Sequence, residues 1–301
     1  MPCYHPLYAQ RSRTLDPVTG KRVVLFPRKA GAYPGYDALM LPCGRCLGCR
    51  HDYAKHWAIR CVHESQLYKD NCFITLTFDS LFLPVNGSLD KSCFQLFIKR
   101  LRKRFFGSSK SDVRYFMCGE YGAEFGRPHY HACLFNFDFP DKVLWKSAQD
   151  TRLYRSAILE SLWSFGFSSI GDVTFESAAY VARYVLKKIN GKLASDHYQG
   201  RLPEYTAMSR RPGIACDWYE KFKDTDVFPR DFVVLNGSKS KVPRYYNRRY
   251  ELTNPDEYAI LRDIRVERAK VNPNNCPDRL RDAEIIRRSR DSRVKRSYEE
   301  I

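Results

Sequence analysis

The sequence predicts an α+β fold, a central antiparallel sheet of about five strands with helices packed on one face. Three observations carry this. The run Cys72–Phe78 (CFITLTF) is β-rich and bounded by Asp79, Pro84 and Gly87. Phe94, Phe97, Ile98, Leu101 and Phe105 form the i, i+3, i+4, i+7 stripe of an amphipathic helix. Two further strand-like runs, Val113–Cys118 and His129–Phe137, flank a glycine-rich connector and read as a hairpin.

The remaining elements follow in chain order. Residues 1–46 are rich in Pro, Gly and Tyr and lack a period, so loops with short strands are expected. Leu47–Tyr68 turns helical, with Ala54, Trp57, Ala58, Cys61 and Leu67 near one face. Asp90 is the expected N-cap of the amphipathic helix and Gly107 its stop. Residues 152–163 read as a helix and Phe167–Phe175 as a strand weakened by Gly171. Ser177 opens a helix to about Ile189, which Gly191 ends. Residues 193–255 give mixed signals and no fold. The expected divisions are an N-terminal segment 1–69, an α+β core 70–192, an accessory region 193–255 and a charged, helical tail 256–301. There is no internal repeat.

The chain has 301 residues, 44% hydrophobic and 14% aromatic, enough for a core, which excludes a wholly disordered chain. Its net charge of +17 favours a polyanionic partner. The tail from Asp256 carries 12 basic and 10 acidic residues, so the excess lies upstream. No run approaches the ~20 apolar residues of a membrane helix, and Met1–Arg13 has no signal-peptide pattern. A soluble protein of the cytosol with no membrane partner is expected. The eleven cysteines are an odd number, and Cys61, Cys72, Cys93, Cys118 and Cys133 lie singly in apolar segments, as in a reducing compartment.

His129-Tyr130-His131 is the most informative tripeptide. In a strand both imidazoles project to one face while Tyr130, Ala132 and Leu134 point to the other. Glu120, on the other arm of the hairpin, could complete a His₂–carboxylate set for a Lewis-acidic metal. Taken alone, H-x-H is also the pattern of an exposed pair on a sheet. A second constellation lies at 178–189. At 100° per residue, Ala178, Val181, Ala182, Val185 and Ile189 share one side of a helix. Tyr180, Arg183, Tyr184 and Lys187 share the other, with the two phenols one turn apart. Such a face suits phosphoryl transfer, with nearby cations assisting a phenol of normal pKa about 10. It equally suits a solvated face of stacked aromatics and cations.

The strand FITLTF, the segment GEYGAEFGRPHYHACLF and the helix AAYVARYVLKK, in this order, resemble the three motifs of the HUH endonucleases, replication initiators of rolling-circle elements. The finer resemblance, through PCGRCLGCR, the GEYG–RPHYH block and MSRRPGI, is to the gokushovirus type within the Microviridae and covers about residues 40–250. It implies an HUH/RRM-like nuclease core. Glu120, His129 and His131 would hold Mg²⁺ or Mn²⁺, and Tyr184 with Lys187, together with Tyr180, would carry catalysis. Arg183, Lys188 and Arg127 would contact DNA. Tyr180 is followed by Arg183 where the motif Y-x-x-K has Lys, so the two tyrosines differ, and Tyr184 is the expected stronger nucleophile. The implied reaction nicks single-stranded origin DNA through a 5′-phosphotyrosyl link and frees a 3′-hydroxyl for the host replication machinery. It needs no nucleotide cofactor. The cell would be a bacterial host and the compartment its cytoplasm.

Cys43, Cys46 and Cys49 form C-x-x-C-x-x-C, and the first pair has zinc-ligand spacing. A structural Zn²⁺ would need a fourth ligand, for which Cys3 is the first candidate and His5 the second. Three free thiols before a helix is the plainer reading. Two rival functions stand beside the initiator: a relaxase or transposase of the same superfamily, and a non-catalytic single-stranded nucleic-acid-binding protein.

Overall fold

Residues 3–18, 20, 22–27, 33–107, 112–122, 125–148, 151–184 and 193–293 are described by a computed structural model of the protein. They fall into two compact units, Met1–Tyr53 with Pro255–Ser297, and Ala54–Asn254. In the smaller unit β1 (Leu7–Ser12), β2 (Val24–Leu25) and β3 (Tyr36–Leu41) form an antiparallel sheet in the order β2-β1-β3. Helix α1 (Leu47–Ser65) follows.

The larger unit continues with β4 (Asn71–Phe78), α2 (Lys91–Phe106), β5 (Arg114–Tyr121) and β6 (Pro128–Phe135). Next come β7 (Val143–Ala148), β8 (Thr151–Arg155), α3 (Ala157–Leu162), β9 (Gly166–Gly171) and α4 (Phe175–Tyr184). Then follow α5 (Leu193–Tyr198), β10 (Tyr205–Met208), α6 (Cys216–Phe222), the hairpin β11 (Val233–Leu235) and β12 (Ser238–Ser240), and α7 (Arg244–Thr253). Helices α8 (Pro255–Lys270) and α9 (Pro277–Arg293) return the chain to the smaller unit.

The fold is α+β, built on a seven-stranded antiparallel sheet in the order β10-β5-β6-β4-β9-β8-β7. The expected count of about five strands falls short because β8 lay in a segment read as helix and β7 and β10 in segments given no assignment. Residues 152–155 were expected to be helical, yet they pair with β7 and the helix begins only at Ala157. Ser156 is its N-cap and accepts a hydrogen bond from the Leu159 amide at 3.0 Å. Strand β10 comes from the region read as accessory and pairs with β5, so residues 193–254 are not separate from the core.

Alternation along the central strands gives each face its own character. Cys72, Ile74, Leu76, Tyr130, Ala132 and Leu134 join Phe94, Phe97, Ile98 and Leu101 of α2 and Leu159 and Leu162 of α3 in one buried core. Asp90 caps α2, accepting from the Ser92 amide at 2.7 Å, and Gly107 ends it at a φ of 59°. The tyrosine helix lies on the opposite face with the histidines, as expected from the sequence, and α1 joins it there. On the opposite face Trp57 of α1 stacks on Phe116 at 4.5 Å, and Tyr180 of α4 meets Phe73 edge-on at 6.5 Å. The basic helix surface Lys99–Arg104 therefore belongs to the layer opposite the histidines.

Residues 193–254 are organised by α1. Arg60 lies between the rings of Trp57 and Tyr245, 4.1 and 4.0 Å from their centroids, and donates to the Ile214 carbonyl at 2.9 Å. Glu64 is buried and accepts from Arg114 and from the Ala215 amide. His63, 1% exposed, stacks on Trp218 at 3.5 Å and shares a 2.9 Å hydrogen bond with the Tyr246 hydroxyl.

Burial lowers His63 from the ordinary 6.5 to about 3. Above pH 6.5 the imidazole is neutral in both the folded and unfolded chain, and nothing is lost. Below it the unfolded chain takes a proton that the native chain refuses, at about 1.4 kcal/mol per pH unit. Unfolding titrations in urea should therefore show a loss of about 2 kcal/mol from this group between pH 6.5 and 5. His63→Phe, which keeps the stack, should flatten that dependence; an unchanged slope would mean the ring is not buried neutral.

Candidate active site

The register of three strands assembles the site. Thr77 pairs with His129 and His129 with Glu120, while Thr75 pairs with His131 and His131 with Cys118. Paired residues share a face, so two threonines, two histidines and the glutamate stand together on the side away from α2. The hairpin connector is shorter than the sequence suggested, because β5 runs on to Tyr121 and takes Glu120 into the strand.

Each imidazole is held at Nδ1 by a threonine of β4. Thr75 Oγ1 lies 3.0 Å from His131 Nδ1, and Thr77 Oγ1 lies 2.9 Å from His129 Nδ1. A hydroxyl can donate or accept, so it serves either tautomer of its histidine. Both Nε2 atoms are then turned toward the β5 side. His131 Nε2 meets Glu120 Oε1 at 2.7 Å, with both side chains 3% exposed. A Cβ on Gly122 would fall 2.7 Å from His129 Nε2, so the absence of a side chain there keeps room beside that nitrogen.

Two imidazole nitrogens and one carboxylate are donors of the type a catalytic divalent cation takes, with Nδ1 partners that orient the rings. In spacing, His131 and Glu120 are joined directly, whereas the rings of His129 and His131 are 6.2 Å apart. Among the described residues, the only set of three or more His, Cys, Asp or Glu donors with all ligand atoms within 4.8 Å of one another is Cys3, Cys43, Cys46 and Cys49.

Helix α4 brings a phenol to the same corner. The Tyr180 hydroxyl lies 3.4 Å from Glu120 Oε1, and its ring stands edge-on to His131 at 5.0 Å. At 5% exposed, Tyr180 does not lie on a solvated face. Ala178, Val181 and Ala182 are buried as well, and only Glu176 and Arg183 of the middle of the helix are open to solvent. Tyr184 is the last residue of α4, one turn beyond Tyr180. Lys187 and Lys188 lie outside the described residues. Exposed Arg183 donates to the Ala179 carbonyl at 3.3 Å. Arg127 donates to the Phe78 carbonyl at 2.7 Å and to Ser80 Oγ at 3.1 Å, bracing the end of β4.

The sequence reading missed Thr75, Thr77, Gly122 and Phe167. The first two were visible in principle as the period-2 threonines of FITLTF. Phe167 pairs with Thr77, which puts it on the histidine face, and it is 58% exposed. Only the pairing of β9 with β4 reveals that position.

The cysteines converge separately, in the smaller unit. The Cys3 and Cys46 sulfurs are 3.8 Å apart. Burial alone would raise the Cys46 thiol, but amide donation from Cys49 and Tyr4 outweighs it and brings it down to about 6. His5, the second candidate for a fourth ligand, instead pairs with Glu284 at 2.7 Å.

Residues 71–189 match the family model described as "Replication-associated protein ORF2/G2P". The chain is 35% identical over 264 residues to "Replication-associated protein VP4" of Bdellovibrio phage phiMH2K, covering 86% of this chain and 80% of that protein. It is 34% identical over 244 residues to "Replication-associated protein ORF2" of Spiroplasma virus 4, covering 77% and 73%. With "Replication-associated protein ORF4" of Chlamydia phage 1 it shares 28% over 221 residues, covering 68% of this chain and 52% of that protein. No solved structure matches the chain.

Thr75→Val keeps the shape of the side chain and removes the hydroxyl at His131 Nδ1. Loss of a partner in a buried pair costs about 1–3 kcal/mol. Chemical denaturation should show a loss in that range for Thr75→Val, and a smaller one for Thr77→Val beside the half-buried His129. Equal, negligible losses would mean that the hydroxyls do not hold the rings.

Proposed function

The chain belongs to the replication-associated proteins of Microviridae-like phages, and on that premise we propose that it nicks and rejoins single-stranded origin DNA through a 5′-phosphotyrosyl intermediate. A role in the initiation of phage DNA replication follows from the family. The chemistry is inferred from the site. The observation that carries it is the meeting of Tyr180, Glu120 and His131 in one buried corner, with His129 next to them on the same face.

The phenolic oxygen attacks phosphorus, the P–O3′ bond breaks, and the 3′-oxygen leaves as a hydroxyl. The proton lost by the phenol balances the one this hydroxyl gains. A second phenol, one turn away on α4, can repeat the cleavage after a round of synthesis. The newly freed 3′-hydroxyl then attacks the first phosphotyrosyl bond, which releases a closed circle and restores the tyrosine. One phosphoester replaces another at each step, so no nucleoside triphosphate is consumed. Mg²⁺ or Mn²⁺ held by Glu120, His129 and His131 would supply Lewis-acid polarisation of the scissile phosphate.

The protein's own residues account for positioning. Thr75 and Thr77 fix the two rings, and Glu120 faces the phenol. The exposed ring of Phe167 offers a flat surface to an unpaired base beside Thr77. Arg183, exposed on α4, would meet a phosphate, whereas Arg127 is engaged with the end of β4. The 3′-hydroxyl left by the nick would prime the host polymerase.

The test is cleavage of genome-derived single-stranded oligonucleotides with Mn²⁺, with mass spectrometry of the covalent adduct. Tyr180→Phe combined with Tyr184→Phe should remove the adduct and lower cleavage at least ~1,000-fold. His129→Ala and His131→Ala should each lower it at least ~100-fold. An adduct that persists in the double Phe protein would identify a different nucleophile and end this reading. Binding of the oligonucleotide without cleavage in the wild type would favour a binding protein.

Gly122→Ala tests the geometry from another side. Its Cβ would push the tip of His129 aside, so Mn²⁺ binding followed by electron paramagnetic resonance should weaken while the melting temperature stays nearly constant. Unchanged Mn²⁺ affinity would remove His129 from the ligand set.

A further inference from the structure

The smaller unit has almost no core of its own. Among its described residues the buried apolar side chains are Tyr4, Ala9, Cys46 and Leu280. Helix α8 buries none, and α9 buries only Leu280 and Glu284. A unit this poor in buried apolar surface needs a staple of another kind.

The four cysteines are placed to provide one. Cys3 precedes β1, Cys43 and Cys46 follow β3, and Cys49 lies in the first turn of α1. Leu7 pairs with Leu41, so the start of β1 and the end of β3 lie side by side. That pairing returns Cys3 to residues some forty positions downstream. All four sulfurs are within 4.8 Å of one another. A tetrahedral site with Zn–S of about 2.3 Å has sulfurs about 3.8 Å apart, and Cys3 and Cys46 stand at 3.8 Å. A disulfide would need about 2.05 Å. Backbone amides donate to three of the sulfurs: Cys43 to Cys3 at 3.2 Å, Tyr4 to Cys46 at 3.3 Å and Cys46 to Cys43 at 3.3 Å. Such donors suit thiolates that carry negative charge.

The residues beside the ligands hold α9. His51, two positions after Cys49, pairs with Asp291 at 2.6 Å and accepts from Arg287 at 3.0 Å. His5, two positions after Cys3, pairs with Glu284 at 2.7 Å. Fixing Cys3 and Cys49 therefore fixes two points to which α9 is tied.

We propose that Cys3, Cys43, Cys46 and Cys49 bind one structural Zn²⁺ as four thiolates, releasing their protons, and that this ion secures α9 to the N-terminal sheet. The test uses the full chain purified under reducing conditions. Native mass spectrometry with elemental analysis should find one zinc per chain. Cys46→Ser and Cys49→Ser should lose it, and His5→Ala should keep it. Where a cysteine variant does not fold, stepwise chelation of the wild type replaces it. Hydrogen exchange should then speed up at least ~10-fold in 277–293 while 71–78 and 128–135 stay protected. Iron in place of zinc, Cys3–Cys46 or other disulfides in the reduced preparation, or α9 exchange unaffected by complete metal removal would each overturn the proposal.

Discussion

Everything at the candidate site depends on the register of β4, β6 and β5. The side-chain period of a strand is two, so a slip of one residue would send His129 and His131 into the apolar layer and Tyr130 and Ala132 out of it. The apolar side resists that slip. Ile74, Leu76, Tyr130, Ala132 and Leu134 are all fully buried against α2 and α3. Tyr130 adds a directional lock, donating to the Asp90 carbonyl at 2.6 Å and accepting from the Asp90 amide at 3.1 Å. The same residue thereby anchors the sheet register and the start of α2. The chemistry on one face is positioned by the packing on the other.

Burying a carboxylate and an imidazole is costly unless each finds partners. Glu120 and His131 answer with a direct hydrogen bond, and Thr75 takes the far side of the ring. These partners stand on three neighbouring strands, so the network forms only when the sheet does. Small residues let α4 approach such a surface: Ala178 and Ala182 are fully buried, Ala179 nearly so, and Tyr180 reaches past them to Glu120. Larger residues at those positions would hold the helix off the sheet and carry the phenol away.

Local pattern made the centre of the fold legible and long-range pairing hid the rest. The alternation in FITLTF and HYHACLF, the apolar stripe of Phe94–Phe105 and the Asp90 and Gly107 signals sufficed for β4, β6 and α2. Glu120 could be placed because it lies in the same hairpin as the histidines. Strand β8 was mistaken for helix because TRLYR has no strong period, and pairing with β7 decides its state. Residues 193–254 gave no reading because their order comes from contacts far away in sequence: Trp218 and Tyr246 on His63, Tyr245 on Arg60, and the Ala215 amide on Glu64. Buried polar and aromatic groups of this kind leave no periodic signature. The return of Cys3 to Cys43–Cys49 was expected from the need for a fourth ligand, and the pairing of β1 with β3 supplies it.

The contact between Tyr180 and Glu120 also bears on how a substrate enters. The phenol is buried and its hydroxyl lies against a carboxylate that also meets His131. On the proposed reaction, a phosphate approaching the phenolic oxygen would come up against Glu120, whose charge the divalent cation would offset. In that reaction, entry of DNA would exchange the Tyr180–Glu120 contact for a tyrosine–phosphate one, while the histidines stay braced by threonines on a neighbouring strand. A phenol carried by a helix over donors fixed in a sheet would suit the proposed strand transfer, in which the same donors would serve two phenols in turn.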